Sequence, residues 1–225
     1  MRRVLKSLAA SPEHWLLALL FVLMLLPFLD IPLSTVFYMP ETPFRWQVDG
    51  APEFVRDFVP EIIMAGAALC VVLWAAARLS PRVPQWFTNR HIIYLVTTLL
   101  VGPGVIVETL LKPNWGRARP KDITAFGGDA AYTWPWQVAQ ECASNCSFVS
   151  GHAAIAFWLS AYAFLLPSKW RPVGLAAALV FGFAVGLARI AQGGHFFSDI
   201  AAAGFIVVLV NVLFARALLK PMAAA

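Results

Sequence analysis

Arg189-Ile-Ala-Gln-Gly-Gly-His195-Phe-Phe-Ser-Asp199 runs straight into Asp199–Leu218, an apolar stretch whose one further charge, Arg216, comes near its end. That stretch is long enough to cross a bilayer as a helix. A charged cluster set against a membrane-length helix decides how the rest of the chain is read, because ionisable groups at membrane depth are costly and mark function. A helix starting at the histidine would put the imidazole and the Asp199 carboxylate one turn apart on one face. The acid would then hold the ring in one tautomer and stabilise its positive form. Arg189 adds a fixed cation whose fork geometry suits phosphate oxygens.

The composition agrees with a membrane chain. Of 225 residues 60% are hydrophobic and 13% charged, and the mean hydropathy is +0.72, which excludes an ordinary soluble domain. A net charge of +5 would suggest nucleic acid in a soluble protein; in this chain the placement of charge matters more, and no nucleic-acid partner is expected. Apolar stretches fall at Trp15–Val36, Val59–Ala77, His91–Leu111, Ser147–Leu166, Pro172–Ile190 and Asp199–Leu218. They predict an all-α integral membrane protein, a six-transmembrane-helix bundle forming a single domain over residues 1–225 with its motif-bearing core at 91–218. Arg2, Arg3, Lys6, Arg78, Arg82, Arg90, Lys169, Arg171, Arg216 and Lys220 gather at one face with Glu13 the only acid among them. By the positive-inside rule that face and both termini are cytoplasmic, and the charged motifs open on the opposite side. Pro27, Asp30 and Pro32 follow the first apolar run in place of a small-x-small cleavage site, so an uncleaved first helix is expected.

Two outer segments are long, Met39–Phe58 and Lys112–Cys146. The second carries Trp115, Phe126, Tyr132, Trp134 and Trp136 among Gly and Pro, and predicts an extracytoplasmic cap between the third and fourth spans, lying in the headgroup layer. Cys142 and Cys146 share it; an oxidising compartment permits a disulfide, but so short a loop needs a particular turn, and the sequence leaves the pairing open. Cys70 reads as a packing residue, and Gly182 and Gly186 are spaced for close helix contact.

The outer ends of the spans carry two more charged clusters. Lys112-Pro-Asn-Trp-Gly-Arg117-Ala-Arg119-Pro120, with Lys121 next, forms an anion site where the third span ends; no spacing rule singles out Arg117 or Lys121, which also read as snorkelling cations. Glu108 precedes Lys112 by one turn and is placed to pair with it. Ser147-Phe-Val-Ser150-Gly151-His152 opens the fourth span, where unpaired N–H groups and the helix dipole make a phosphate cradle and Gly151 admits close backbone approach. Ser147 reads more simply as a helix N-cap. His14 and His91 belong to the cytoplasmic border, so only His152 and His195 share the outer face.

Lys112 with six residues before Arg119-Pro120, then Ser150-Gly151-His152, then Arg189 with five residues before His195 and three more before Asp199, resembles the three-part signature of the type 2 phosphatidic acid phosphatase superfamily. That group also includes vanadium haloperoxidases, and the six-span layout resembles its membrane-bound lipid phosphatases. Val149 stands where the family usually has proline, and Ala188 where it usually has serine. The resemblance implies that His195 attacks phosphorus and becomes a phosphohistidine, oriented by Asp199. It makes His152 the acid for the departing oxygen and the base for water. Lys112, Arg119, Arg189, Ser150 and the Gly151 N–H would hold the phosphoryl oxygens. Phosphoryl transfer needs in-line positioning and charge neutralisation, which these residues supply without a metal or other cofactor. The implied protein is a phosphatase of the bacterial inner membrane, facing the periplasm, with a phosphorylated lipid as substrate and membrane lipids around it. Lipid A 1-phosphate is the favoured substrate, by resemblance of the Ser-Phe-Val-Ser-Gly-His segment and the brevity of the chain. Undecaprenyl diphosphate and phosphatidylglycerol phosphate also fit, as does phosphoryl transfer to a second lipid. A lipid or ion transporter is the reading outside enzymes.

Overall fold

The computed structural model describes residues 11–44, 46 and 50–219. Arg2, Arg3, Lys6 and Lys220 of the basic face lie outside them. The first helix, α1 (Pro12–Met24), starts with proline, whose missing N–H is harmless in a first turn. Pro27 ends it through a tight turn, and α2 (Asp30–Thr35) leaves at 59° to α1. The expected span Trp15–Val36 is therefore a bent pair, and the bend carries Asp30 into the protein interior.

Helix α3 (Ala51–Leu79) begins after Gly50, which turns at φ +80. It takes in the end of the outer segment expected at Met39–Phe58, because Glu53, Arg56 and Asp57 prolong an apolar helix past the apolar region. Helix α4 (Asn89–Leu99) is capped by Thr88 and His91, each accepting the other's backbone N–H. His91 is thus a capping residue. The chain continues as a wide π-helix over Leu100–Leu111 and a last α-turn, α5 (Lys112–Asn114). Pro103 lies inside the wide part, where looser winding relieves the clash between its ring and the preceding turn.

The fourth apolar stretch departs most from expectation. Its helix starts only at Gly151 and breaks at Leu159, giving α6 (Gly151–Trp158) and α7 (Ser160–Ala163). At the break Tyr162 N–H bonds to the Leu159 carbonyl, and the Trp158 carbonyl accepts from Asn211 Nδ2 at 3.5 Å instead. Asn211 also donates to Ser160 Oγ, 2.9 Å away, so side chains satisfy what the broken ladder releases. Then come α8 (Arg171–Ala191) and α9 (Phe197–Leu218). Among the described residues four helices are long and apolar enough to span a membrane, five with the bent pair counted as one. The molecule is an all-α membrane protein, and the fourth of its six expected crossings lacks the length of a single span.

Helix α9 is the centre. Most of its apolar side chains are buried, whereas Phe54, Ile62, Leu69 and Val72 of α3 are exposed. Ala201, Ala202, Ala203 and Gly204 keep α9 thin enough for α1 and α6 to close on it. Gly182 and Gly186 of α8 bring it against Phe157 and Ile200; a β-carbon there would come within 2.3 Å and 2.4 Å of those side chains. Between α5 and α6 the chain builds a small second core from Ala118, Ile123 and Phe126, joined by Phe44 and Phe196. Phe126 is thus core, whereas Trp134 and Trp136 stay exposed. Cys142 and Cys146 are joined in a disulfide, and Cys70 is free.

Candidate active site

Helix α8 ends at Ala191, and Gly193, at φ +62, turns the chain back. Gly194 lets the turn close on the end of α8: its N–H bonds to the Arg189 carbonyl at 2.9 Å, and a β-carbon would lie 2.7 Å from Arg189 Nη2. The buried Arg189 guanidinium is held by Gln192 Oε1, while its Nε and Gln192 Nε2 are buried without a hydrogen-bond partner among the described residues. His195 follows, 1% exposed, with Nδ1 2.7 Å from the Ser147 carbonyl. A carbonyl only accepts, so Nδ1 carries the hydrogen and Nε2 keeps its lone pair.

His195 precedes the helix, which begins at Phe197, so the histidine and Asp199 do not share a helical face as expected. The Asp199 carboxylate lies 4.0 Å from His195 Nδ1, beyond hydrogen-bond reach. Its Oδ2 accepts instead from Phe196 N–H at 2.8 Å and Ser147 Oγ at 2.6 Å. Asp199 thus acts on the imidazole through Ser147, whose hydroxyl it binds and whose carbonyl holds the ring. Ser147 is not the N-cap expected; that place belongs to Ser150, whose Oγ accepts from Ala153 N–H at 3.4 Å.

Behind Asp199 lies a cluster that the sequence reading missed. Arg117 is fully buried, with Nη1 2.5 Å from Asp199 Oδ1 and Nη2 2.8 Å from Asp30 Oδ2. It also donates to Ser198 Oγ and the Thr133 carbonyl, both at 3.0 Å, and its guanidinium carbon lies 4.4 Å from the centre of the Phe196 ring. Asp30 accepts further from Ser198 N–H, Ser198 Oγ and Tyr132 OH. Burial pulls the Arg117 pKa down, but the Asp199 and Asp30 carboxylates outweigh it and leave it raised. The same burial, with the Asp30 charge, pushes the Tyr132 hydroxyl up. One signal was available in sequence: Asp30 is a lone carboxylate inside an apolar run.

Of the remaining predicted residues, Lys112, Arg119, Arg189 and His152 act electrostatically on His195. Lys112 Nζ lies 3.1 Å from both Glu108 carboxylate oxygens, the pairing expected from their spacing. Arg119 Nε donates to the Asn145 carbonyl at 3.0 Å. Gly151 opens α6 directly beside the Glu108–Lys112 pair; a β-carbon there would meet Glu108 Oε1 at 1.8 Å. His152 Nε2 lies 3.0 Å from the Arg56 carbonyl on α3. Burial and then the charges of Arg189, Arg119 and Lys112 hold the His195 pKa well below the usual histidine value, so the ring is neutral near pH 7. Burial also lowers Arg119 from its ordinary value. The arrangement is a buried neutral imidazole within the electrostatic reach of three cations and a second histidine.

A family model described as PAP2 superfamily matches residues 90–222, more than half of the chain. The chain belongs to the PAP2 superfamily. Among PAP2 relatives it is 40% identical over 122 residues to a protein named lipid A 4'-phosphatase from Francisella tularensis subsp. novicida (strain U112), covering 54% of this chain and 55% of that one. A lipid A 4'-phosphatase of Rhizobium leguminosarum is 38% identical over 103 residues, 46% of this chain and 44% of its own. One of Rhizobium etli (strain ATCC 51251 / DSM 11541 / JCM 21823 / NBRC 15573 / CFN 42) is 36% identical over 102 residues, 45% of this chain and 40% of its own. The chain spans about half the length of the curated relatives it matches. No solved structure matches. These relatives carry the 4'-phosphatase name, in place of the 1-phosphatase expected from sequence.

Proposed function

We propose that this protein is a metal-independent lipid phosphatase that removes the 4'-phosphate of lipid A through a phosphohistidine intermediate. The observation that carries the chemistry is the fixed tautomer of His195: its Nδ1–H is held by the Ser147 carbonyl, leaving Nε2 its lone pair on a ring that feels the charges of Lys112, Arg119 and Arg189. The names of the relatives support lipid A and its 4'-phosphate over the 1-phosphate.

In this reading Nε2 of His195 attacks phosphorus as the bond to the sugar oxygen breaks, and His152 delivers a proton to that oxygen. The three cations, Ser150 Oγ and the Gly151 N–H carry the charge that builds on the equatorial oxygens. Water, deprotonated by His152, then displaces His195 and releases phosphate. Lys112 exchanges its Glu108 partner for a phosphoryl oxygen on binding. Asp199 acts as a positioning residue through Ser147. The protein sits in the bacterial inner membrane with this site at the periplasmic face, and α6–α7 completes a six-crossing bundle, a placement supported by the burial of Phe157, Trp158 and Ala161 at its centre.

The test is chemical. Purified protein is incubated with lipid A bearing phosphate at the 1-position, at the 4'-position, or at both, with chelator present, and products are read by mass spectrometry. Loss of the 4'-phosphate alone supports the reading; loss from the 1-position alone, or from undecaprenyl diphosphate in preference, overturns the substrate assignment. His195→Ala should form no covalent phosphoenzyme; an acid-labile phosphoenzyme in that variant would place the nucleophile elsewhere.

A further inference from the structure

Pro60 lies inside α3. A proline has no N–H and cannot donate to the carbonyl four residues earlier, which in α3 is that of Arg56. A carbonyl from which the helix withholds its donor pairs with another donor or with water. The Arg56 oxygen finds His152 Nε2 at 3.0 Å, a residue remote in sequence on α6.

We propose that Pro60 is a positioning residue for the reaction: by freeing the Arg56 carbonyl it anchors His152 through Nε2–H, and so makes Nδ1 the nitrogen that gives and takes the proton. The inference rests on His152 being the general acid and base of the proposed function. The carbonyl accepts only, so Nε2 keeps its hydrogen in both charge states of the ring. In the imidazolium the second hydrogen is on Nδ1. As the phosphorus–oxygen bond breaks, Nδ1–H passes to the departing sugar oxygen, and the neutral Nε2–H tautomer remains anchored. Nδ1 then takes a proton from the water that attacks the phosphohistidine, which restores the starting ring. The two histidines are thus oriented alike and oppositely: a backbone carbonyl holds His195 at Nδ1 and leaves Nε2 to attack, and another holds His152 at Nε2 and leaves Nδ1 to transfer protons. Each anchor fixes a tautomer and a ring plane without a carboxylate. The turn bearing the Arg56 carbonyl is itself steadied by the pairing of Arg56 Nε with Asp57 at 2.6 Å.

Pro60→Ala restores an N–H that competes for the Arg56 oxygen. Two substrates are compared: lipid A, whose sugar oxygen needs a proton to leave, and p-nitrophenyl phosphate, whose phenolate leaves without one. The expected result is a fall in kcat of about 10-fold on lipid A and under 2-fold on the aryl phosphate, with KM little changed. An equal loss on both substrates, or none on lipid A, overturns the inference. Should the variant fail to fold, ¹⁵N NMR of the histidine-labelled native protein decides: His152, assigned by comparison with His152→Gln, must carry its hydrogen on Nε2 when neutral, and a hydrogen on Nδ1 overturns the inference. His152→Ala separates the two levels. Native turnover of lipid A by that variant sinks the acid–base reading itself, whereas an inactive His152→Ala beside a native-like Pro60→Ala sinks only the role of Pro60.

Discussion

Replacing Arg117 with methionine would keep an unbranched apolar stem while removing the charge and the donors. The native guanidinium makes four hydrogen bonds, to Asp30, Asp199, Ser198 and the Thr133 carbonyl, and is fully buried. The variant strands two buried carboxylates, Asp30 and Asp199, with no cation between them. Removing one partner of a buried ion pair costs about 3–5 kcal/mol, because the charge left behind is desolvated and uncompensated. At about 2–4 °C per kcal/mol for a chain of this size, the midpoint of thermal unfolding in detergent should fall by about 6–20 °C. Adding Asp30→Asn to Arg117→Met should recover part of the loss, about 1–3 kcal/mol, since one stranded charge is gone and the pair no longer acts independently. Activity should fall further than stability predicts, because Asp199 loses the cation opposite its Ser147 contact and the His195 anchor loosens. Arg117→Lys should rescue little: an ammonium cannot span two carboxylates, a hydroxyl and a carbonyl in one plane. A midpoint within 2 °C of native for Arg117→Met, a change of less than about 1 kcal/mol, would refute the buried network as described.

Other outcomes follow from the same geometry. His195 has its pKa depressed when folded, so above about pH 6.5 both folded and unfolded chains hold it neutral and its contribution to stability is constant. Below that pH the unfolded chain takes up a proton that the folded one refuses, and stability falls by up to about 1.4 kcal/mol per pH unit from this residue; the stabilities of the native protein and His195→Asn should run parallel above about pH 7 and diverge with about that slope below about pH 6. Gly186→Leu drives a side chain into Ile200 and should lower stability by at least about 1–3 kcal/mol, read as a lower unfolding midpoint; an unchanged midpoint would mean that α8 and α9 are not in contact. For orientation, single cysteines at Trp86 and Trp134, both exposed, in a Cys70→Ser background should label from outside only at position 134; outside labelling at position 86 would reverse the assignment of faces. Without reductant Cys142 and Cys146 should resist alkylation, and free thiols at both would show the disulfide does not form.

The sequence by itself determined the class and the family. A hydrophobic share of 60% with charge kept largely outside the apolar stretches left a helical membrane protein, and the spacing of Lys112, Arg119, Ser150, His152, Arg189, His195 and Asp199 carried the resemblance to the family that the chain belongs to. The pairing of Glu108 with Lys112 was also legible, because it lies within one helical turn. Tertiary structure decided every contact between residues distant in sequence. The partner of Asp199 is Arg117 in place of the neighbouring histidine, since the helix starts two residues too late to put both on one face. Each histidine takes its tautomer from a carbonyl on another segment, Ser147 for His195 and Arg56 for His152. At the break in Ser147–Leu166 the Trp158 carbonyl accepts from Asn211 Nδ2, which comes from a different helix. Periodicity reports which residues share one helix face, but buried polar groups are satisfied in three dimensions, and their partners follow from how helices pack.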